Sequence, residues 1–226
     1  MLSSSEYAPG DRIPSERDLA TLLNVNRLTV RRAINTLVGR GLLESNGTGG
    51  TRVAPPRMVR PVDVYRAVGI DRIIAGHGGV PSNRLMQFQT AQATAQVADQ
   101  LRIEPGTDVV VVRRVWSIDR TPFCVETSHL AAQLVPDLAA DDLVAGQSLY
   151  LLLRSRYGHE IVNGHRTIGV AYVSDADARL LDMKSGAPAL ALRLVVETAE
   201  GRPIEYMTSL NNPDLVTFST EKVQLA

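Results

Sequence analysis

The order of parts in residues 9–53 most constrains what this chain can fold into. The segment reads PGDRIPSERDLATLLNVNRLTVRRAINTLVGRGLLESNGTGGTRV. Ser15, followed three residues later by Asp18, is a short capping box, in which side chains satisfy the free amide groups at a helix start. It predicts a helix over residues 16–23, whose apolar face is supplied by Leu19, Ala20, Leu22 and Leu23.

A second helix and a glycine-rich hairpin follow this first helix. Asn26 is predicted to cap a helix over residues 27–40, in which apolar side chains recur at spacings of three and four. Two strand-like runs, residues 42–45 and 51–54, flank Asn46-Gly47-Thr48-Gly49-Gly50, whose residue types accept the positive φ of a tight turn. Helix, turn, helix and hairpin in this order predict a winged helix-turn-helix.

The polar side of the second helix carries the chemistry. Its first turns hold Arg27, Thr29, Arg31 and Arg32. A helix fits the major groove of B-DNA, where arginines near its N-terminus reach guanine edges or phosphates. For an arginine-rich helix alone, a solvated face on a small helical domain is the alternative. The tight turn and the glycine-rich hairpin beside this helix favour DNA binding.

The distribution of charge agrees with DNA binding. The chain of 226 residues has a formal net charge of +0, yet residues 1–60 hold nine arginines against five acidic residues. The remaining residues hold 15 basic and 19 acidic side chains. A basic head on an acidic body is typical of a DNA-binding domain joined to a second domain.

Several other classes of protein are not indicated. No run of about 18 apolar residues predicts a membrane span, and the first residues lack the pattern of a secretory signal. Cys124, the single cysteine, is predicted to be a small buried residue. The histidines lack the spacing of metal ligands, and no nucleophile motif occurs. We therefore expect a cytoplasmic protein without metal or cofactor.

The strings PGDRIPSERDLA and VNRLTVRRAINTLVGRGLLESNGTGGTRV resemble the DNA-binding domain of GntR-type bacterial transcription regulators. This resemblance implies contacts with operator DNA from the first helix, the second helix and the wing. The predicted DNA-binding set is Ser15, Arg17, Arg27, Thr29, Arg31, Arg32, Asn46 and Gly47. The family has a further amphipathic helix before Glu6, where only MLSSS stands here. We expect that helix to lie upstream of the numbered residues; the alternative is a domain that is short of a helix and less stable.

The rest of the chain predicts a second domain. Residues 1–54 are assigned to the DNA-binding domain, the proline-rich segment 55–82 to a linker, and residues 83–226 to the second domain. Beyond residue 83, strand-like and helix-like runs alternate, and tight turns join several strand pairs. This pattern predicts an α+β fold with an antiparallel sheet and helices on one side.

The second domain resembles the effector domain of the HutC-like branch of the same family, called UTRA, which has the fold of chorismate lyase. The matching strings are VADQLRIEPGTDVVVVRRVWSIDRTPFCVE, SLYLLLRSRYG, ADARLLDMKSGAPALAL and GRPIEYMTS. The resemblance implies a homodimer in which this domain binds a small polar or anionic metabolite, frequently a sugar phosphate.

The family pocket maps onto residues of three strands and one helix start. The predicted effector-binding set is Arg114, Trp116, Glu126, Ser148, Tyr150 and Glu205. Each position has a simpler interpretation: a cross-strand ion pair, a helix cap or a core aromatic residue. Sugar-phosphate binders of the family carry a second arginine where this chain has Trp116. They also differ at Gly69-Ile70 and Asn211-Asn212. These departures predict a less anionic or more apolar ligand.

The sequence thus predicts a ligand-responsive transcription repressor. A homodimer is expected to bind a near-palindromic operator through two winged helices and to be released by a small metabolite. The alternative is an enzyme of chorismate-lyase-like fold that acts on a small anionic metabolite, with Arg114 and Glu126 as catalytic groups.

Overall fold

Two compact units make up the chain. The computed structural model describes residues 7, 10–39, 41–45, 49–54, 58–61, 69–76, 79–144 and 148–219. The first unit is Met1–Arg57 and the second is Met58–Ala226. Among the described residues, no helix is both long and apolar enough to cross a membrane.

The first unit has the predicted order of helix, turn, helix and hairpin. Its elements are α1 (Glu16–Leu23), α2 (Arg27–Gly39) and the antiparallel strands β1 (Leu43–Ser45) and β2 (Thr51–Val53). Ser15 Oγ accepts a hydrogen bond from the backbone amide of Asp18 at 3.3 Å, and Asn26 Oδ1 accepts one from Leu28 at 2.8 Å. Both predicted caps are therefore confirmed, since they satisfy amide groups that a helix leaves unpaired at its start.

The core of the first unit is small. It consists of Leu19, Val30, Ile34 and Leu43. Leu22 and Leu23, which the sequence placed on the apolar face of α1, are exposed instead. The reason is that α1 packs on α2, while no described element covers its last turn.

An antiparallel sheet of six strands forms the body of the second unit. In space the strand order is β4-β5-β6-β9-β8-β7. The strands are β4 (Pro81–Gln92), β5 (Asp108–Ile118), β6 (Thr121–Ala131), β7 (Ile161–Tyr172), β8 (Pro188–Thr198) and β9 (Pro203–Asn211). A separate parallel pair joins β3 (Met58–Pro61) to β10 (Val216–Ser219). The predicted antiparallel α+β fold is confirmed.

Helices cover both faces of this sheet rather than the one side that the sequence predicted. They are α3 (Ile70–Gly76), α4 (Ala95–Leu101), α5 (Leu149–Ser155) and α6 (Asp175–Leu180). Neighbouring residues of a strand point to opposite faces. Accordingly, Val110 of β5 packs in one cluster with Leu149 of α5, and Val111 packs in another with Leu101 of α4. We call the side of Val110 the α5 face.

The structure differs from the predicted linker 55–82. This segment contains β3 and α3, and the second unit begins at Met58. Met58, Ile70 and Ile74 are buried in one cluster with Trp116 of β5. Apolar burial therefore attaches β3 and α3 to the second unit, because these side chains complete the core on the α5 face.

Candidate DNA-binding and effector sites

Exposed polar side chains gather at the starts of the two helices of the first unit. All the described members of the predicted DNA-binding set are exposed: Ser15, Arg17, Arg27, Thr29, Arg31 and Arg32. Two further members, Asn46 and Gly47, lie outside the described residues. Ser15 is engaged as the cap of α1, where its hydroxyl also donates to Asp18 Oδ2 at 2.7 Å. In this structure Ser15 therefore stabilises the start of α1.

Glu16 links the two helices through the arginines of α2. Nε of Arg31 donates to Oε1 of Glu16 at 3.0 Å, and Nη2 of Arg31 donates to Oε2 at 2.9 Å. Nε of Arg27 donates to the same Oε2 at 3.1 Å. These hydrogen bonds lower the pKa of Glu16, and the bond to Glu16 raises the pKa of Arg31. The contacts with Glu16 thus hold both guanidinium groups at the solvent-exposed start of α2.

In the second unit, one cavity on the α5 face brings the six predicted effector residues together. Its volume is about 60 Å³. Arg114 and Trp116 come from β5, Glu126 from β6 and Glu205 from β9, while Ser148 and Tyr150 come from the start of α5. Alternation along each strand explains why the four strand residues meet there, because it places their side chains on one face of the sheet.

A buried ion pair lies at the base of this cavity. Arg114 and Glu126 are direct cross-strand partners, and Nη2 of Arg114 donates to Oε1 of Glu126 at 2.8 Å. The Arg114 guanidinium carbon also lies 4.9 Å from the centre of the Trp116 ring, and Trp116 Nε1 donates to the same Oε1 at 3.3 Å. The tryptophan therefore stacks on the arginine that it follows, a cation–π contact in a buried setting.

Two side-chain atoms of the cavity are buried without a hydrogen-bond partner among the described residues. Nη1 of Arg114 and Oε2 of Glu205 make no hydrogen bond within the described part of the chain. Burial, and then the negative charge of Glu126, raise the pKa of Glu205 to about 7. Burial likewise raises the pKa of Tyr150 well above its ordinary value. The cavity therefore offers an unpaired cationic donor together with a carboxyl that gains or loses its proton near neutral pH.

Ser148 stands at the N-cap position of α5, yet its side chain makes no capping hydrogen bond. Its hydroxyl lines the cavity beside Gly69. A Cβ added to Gly69 would lie 3.3 Å from Ser148 Oγ and would clash with Asp71 Oδ1. The absence of a side chain at residue 69 thus leaves room for both polar groups beside the cavity.

The sequence did not assign four charged or small residues that line the same cavity: Arg60, Gly69, Asp71 and Arg166. Three arginines and three acidic residues consequently surround it, although Trp116 replaces an arginine of the family pattern. Gly69-Ile70, matched to the pocket by resemblance alone, does lie at the cavity. The spacing of Ile70, Ile73 and Ile74 is typical of a helix, and it indicates that the second domain begins before residue 83. No local pattern marks Arg60 or Arg166.

Neither unit shows a metal centre among the residues that the structure describes, where no three potential ligands cluster. Cys124 is buried, and burial raises the pKa of its thiol to about 12. The thiol is therefore a neutral group of the core at physiological pH, as its apolar surroundings in the sequence predicted.

Comparisons with known proteins agree with both units. The UTRA domain family matches residues 76–217, and the bacterial regulatory proteins of the gntR family match residues 1–53. The chain is 28% identical over 216 residues to the uncharacterized HTH-type transcriptional regulator YurK of Bacillus subtilis (strain 168), covering 94% of this chain and 87% of that protein. It is 24% identical over 221 residues to the probable fructoselysine utilization operon transcriptional repressor of Escherichia coli (strain K12), with coverages of 97% and 89%.

A solved structure is similar over nearly the whole chain. The crystal structure of PhnF from Mycobacterium smegmatis matches with a TM-score of 0.83 and 27% identity, covering 97% of this chain and 95% of that one. The relatives are transcription regulators, which sets aside the enzyme alternative. A DNA-binding helix-turn-helix and an effector domain in one chain make a ligand-responsive transcription regulator. The chain belongs to the gntR family of bacterial regulatory proteins, in the HutC-type branch whose second domain is a UTRA domain.

Proposed function

We propose that this regulator is a cytoplasmic repressor that binds a near-palindromic operator as a homodimer and is released by a small anionic metabolite. The observation that carries the proposal is that two buried side-chain atoms of the cavity, Arg114 Nη1 and Glu205 Oε2, make no hydrogen bond with the described residues. A buried polar group without a partner costs free energy, which a ligand of matching chemistry recovers.

The two unpaired groups favour a particular ligand chemistry. Arg114 Nη1 is a charged donor, which suits a phosphate or carboxylate. Glu205 Oε2 is an acceptor, which suits a hydroxyl group. A sugar phosphate, or another small metabolite with an anionic and a hydroxylated end, supplies both. The name of the Escherichia coli relative connects that protein with fructoselysine utilization, which supports a sugar-derived ligand here.

The cavity is small for such a ligand. Its volume of about 60 Å³ has room for a few water molecules, whereas ligand pockets commonly measure roughly 300–1,000 Å³. Effector binding therefore requires side chains or secondary-structure elements around the cavity to move. A ligand that fits only the opened arrangement shifts the protein towards it, which is the requirement for a switch.

The arginines at the start of α2 supply the DNA-binding surface. Arg27 and Arg31 share one carboxylate in the free protein, and Arg17 and Arg32 are exposed beside them. Phosphates of the operator then compete with Glu16 for these guanidinium groups, which lie at the start of α2. Each head alone binds weakly, and joining two heads raises affinity through effective concentration.

An exposed apolar stripe on β7 supports the homodimer. β7 is an edge strand of the sheet, and Ile168, Val170 and Tyr172 alternate along it on one face. Val170 and Tyr172 are 67% and 75% exposed. A contiguous apolar stripe on a sheet edge is commonly covered by a partner, and a second copy of this chain is the partner that a palindromic operator requires.

Operator release is the experiment that tests the proposal. Operator DNA is selected from random duplexes with the purified full-length protein, and its binding is followed by fluorescence anisotropy. Sugar phosphates and related anionic metabolites are then added one by one. We expect one of them to weaken binding by roughly 5- to 150-fold, the range of typical allosteric coupling.

The variant Arg114→Ala should bind the same operator and lose the response to that metabolite. The variant Arg102→Ala is the matched control, because Arg102 pairs with Glu197 away from the cavity. A normal response from Arg114→Ala would contradict the assignment of the cavity. If sedimentation shows a monomer, both free and bound to the operator, the homodimer is contradicted.

A further inference from the structure

Arg60 lies on β3, the first strand of the second unit, and lines the effector cavity with Arg114 and Glu126. It is 5% exposed. The first unit ends at Arg57, so this strand follows the DNA-binding unit directly in the sequence. We propose that Arg60 is a second anion-binding residue of the cavity, through which effector binding acts on the strand that leads to the DNA-binding unit. The proposal rests on the proposed function of the cavity.

Neutral groups hold the guanidinium of Arg60 over the sheet. Its Nη1 donates to Oδ1 of Asn211 at 2.7 Å, to Oγ of Ser209 at 3.4 Å and to Sγ of Cys124 at 3.7 Å. The ring of Phe218 lies 5.7 Å from its central carbon. Within the described residues, no carboxylate lies within ion-pair distance of Arg60.

This environment differs from that of the other buried arginine of the site. Arg114 has Glu126 as its counter-charge, whereas the described partners of Arg60 are an amide, a hydroxyl, a thiol and an aromatic ring. A buried cation without a counter-charge is costly. An anionic group that enters the cavity supplies a counter-charge that the described partners of Arg60 do not, and the planar guanidinium suits a phosphate or carboxylate.

The sheet register places the two arginines on the same patch. Ser209, which Arg60 contacts, is the cross-strand partner of Glu126, and Glu126 is the partner of Arg114. Cys124 is in turn the partner of Trp116. Arg60 and Arg114 therefore reach adjacent register positions of the α5 face. An anion bound over that patch has access to both guanidinium groups.

Two contacts connect β3 with the wall of the cavity. Arg60 pairs in register with Phe218 of β10, and Met58, two residues earlier, is buried in the cluster that contains Trp116. A change in the shape of the cavity on effector binding therefore displaces β3 as a whole. If the effector binds more tightly when β3 occupies one position than another, it shifts the population towards that position. The DNA-binding unit, which is covalently attached to β3, is then affected as well.

The single tryptophan of the chain provides the measurement. Trp116 stacks on Arg114 and lines the cavity, so its fluorescence reports binding there. The full-length protein is titrated with inorganic phosphate at constant ionic strength. We expect Arg60→Gln to weaken phosphate binding at least about tenfold, since it removes a charge-assisted contact. Arg102→Gln, the matched control, should bind phosphate like the wild type.

Operator affinity, measured with and without saturating phosphate, tests the second half of the proposal. Any change that phosphate causes in the wild type should be lost in Arg60→Gln. An unchanged phosphate affinity in Arg60→Gln, together with a loss in Arg114→Gln, would overturn the role of Arg60 and leave the proposed function standing. A wild type that gives no response to phosphate and to sugar phosphates would overturn the proposed function itself.

If Arg60→Gln does not fold, as judged by circular dichroism, Arg60→Lys takes its place. Lysine keeps the charge and much of the stem but lacks the planar fork of donors. We expect phosphate binding by Arg60→Lys to be weaker than that of the wild type, and equal affinity would again contradict the proposal.

Discussion

Each unit of this regulator contains an ion pair between an arginine and a glutamate, exposed in the first unit and buried in the second. In the first unit, Glu16 accepts hydrogen bonds from Nε and Nη2 of Arg31, and the side chain of Arg31 is 48% exposed. In the second unit, Glu126 binds Arg114, whose side chain is only 4% exposed. The exposed pair is screened by water and salt, whereas the buried pair is not.

This difference in environment matches the difference between the tasks proposed for the two arginines. An arginine that must exchange a carboxylate for a DNA phosphate needs a weak, solvated partner, because the exchange then costs little. An arginine that must recognise a small ligand inside the protein needs a fixed position, which the buried carboxylate and the Trp116 ring supply. The comparison can be tested from both sides.

The largest effect is expected from Glu126→Ala. Removing this carboxylate leaves Arg114 buried without a counter-charge, and the free energy of unfolding of the second unit should fall by about 3–5 kcal/mol. Chemical denaturation followed by Trp116 fluorescence measures it. The double variant Arg114→Met/Glu126→Leu removes both charges and should recover much of the loss. A loss below about 1 kcal/mol for the single variant would mean that water already solvates the pair.

The next effect concerns DNA. Arg31→Ala should weaken operator binding by roughly tenfold to a hundredfold, since one arginine contact with a base edge or phosphate is lost. Dimerisation and circular dichroism should stay as in the wild type, because the side chain is exposed. Arg102→Ala is the control, and anisotropy at moderate salt is the measurement. Unchanged binding would remove the start of α2 from the interface.

The pH dependence of stability probes the cavity. Burial raises the pKa of Glu205 to about 7 in the folded state, while the unfolded value is 4.5. The folded state therefore binds more protons between these values, and the free energy of unfolding should fall as pH rises from about 4.5 to 7, by up to about 3 kcal/mol. Above the folded pKa no further change is expected from this group. Glu205→Gln should flatten the profile, and an identical profile would show that Glu205 ionises normally.

The smallest effect is expected from Glu16→Gln. Its carboxylate is solvated, so the unfolding transition of the first unit should hardly move. Affinity for non-specific DNA at low salt should rise a few-fold, because one negative charge near the phosphates is lost. Electrophoretic mobility shifts at two salt concentrations measure this. A large loss of stability would place Glu16 in the same class as Glu126 and end the contrast between the two pairs.

Local patterns in the sequence predicted the first unit well. Ser15 and Asn26 cap their helices as expected, since a cap depends only on residues one turn away. Leu22 and Leu23 of the predicted apolar face are exposed, because helical spacing predicts a face but not what covers that face. The segment 55–82 was read as a linker for a related reason. Its prolines are local, but the burial of Met58 and Ile70 depends on Trp116 from a distant strand.

The six residues that the resemblance predicted for the effector site do line one cavity. Alternation along β5 and β6 explains why Arg114, Trp116 and Glu126 share a face of the sheet. Arg60 and Arg166 escaped notice because they reach the cavity from β3 and from the edge strand β7. Neither position follows from spacing within one element.

By itself, the sequence determined the class of the protein: helix caps, a glycine-rich hairpin, a split of charge and an alternating strand pattern are all recorded within short stretches of chain. Only the tertiary structure decided which charges are buried and which residues meet. It paired Arg114 with Glu126 in the interior, left Arg31 in solvent, and brought Arg60 from the strand after the DNA-binding unit to the effector cavity. The physical reason is that the interaction energy of two charges depends on how much water surrounds them, and burial is a property of the packed chain.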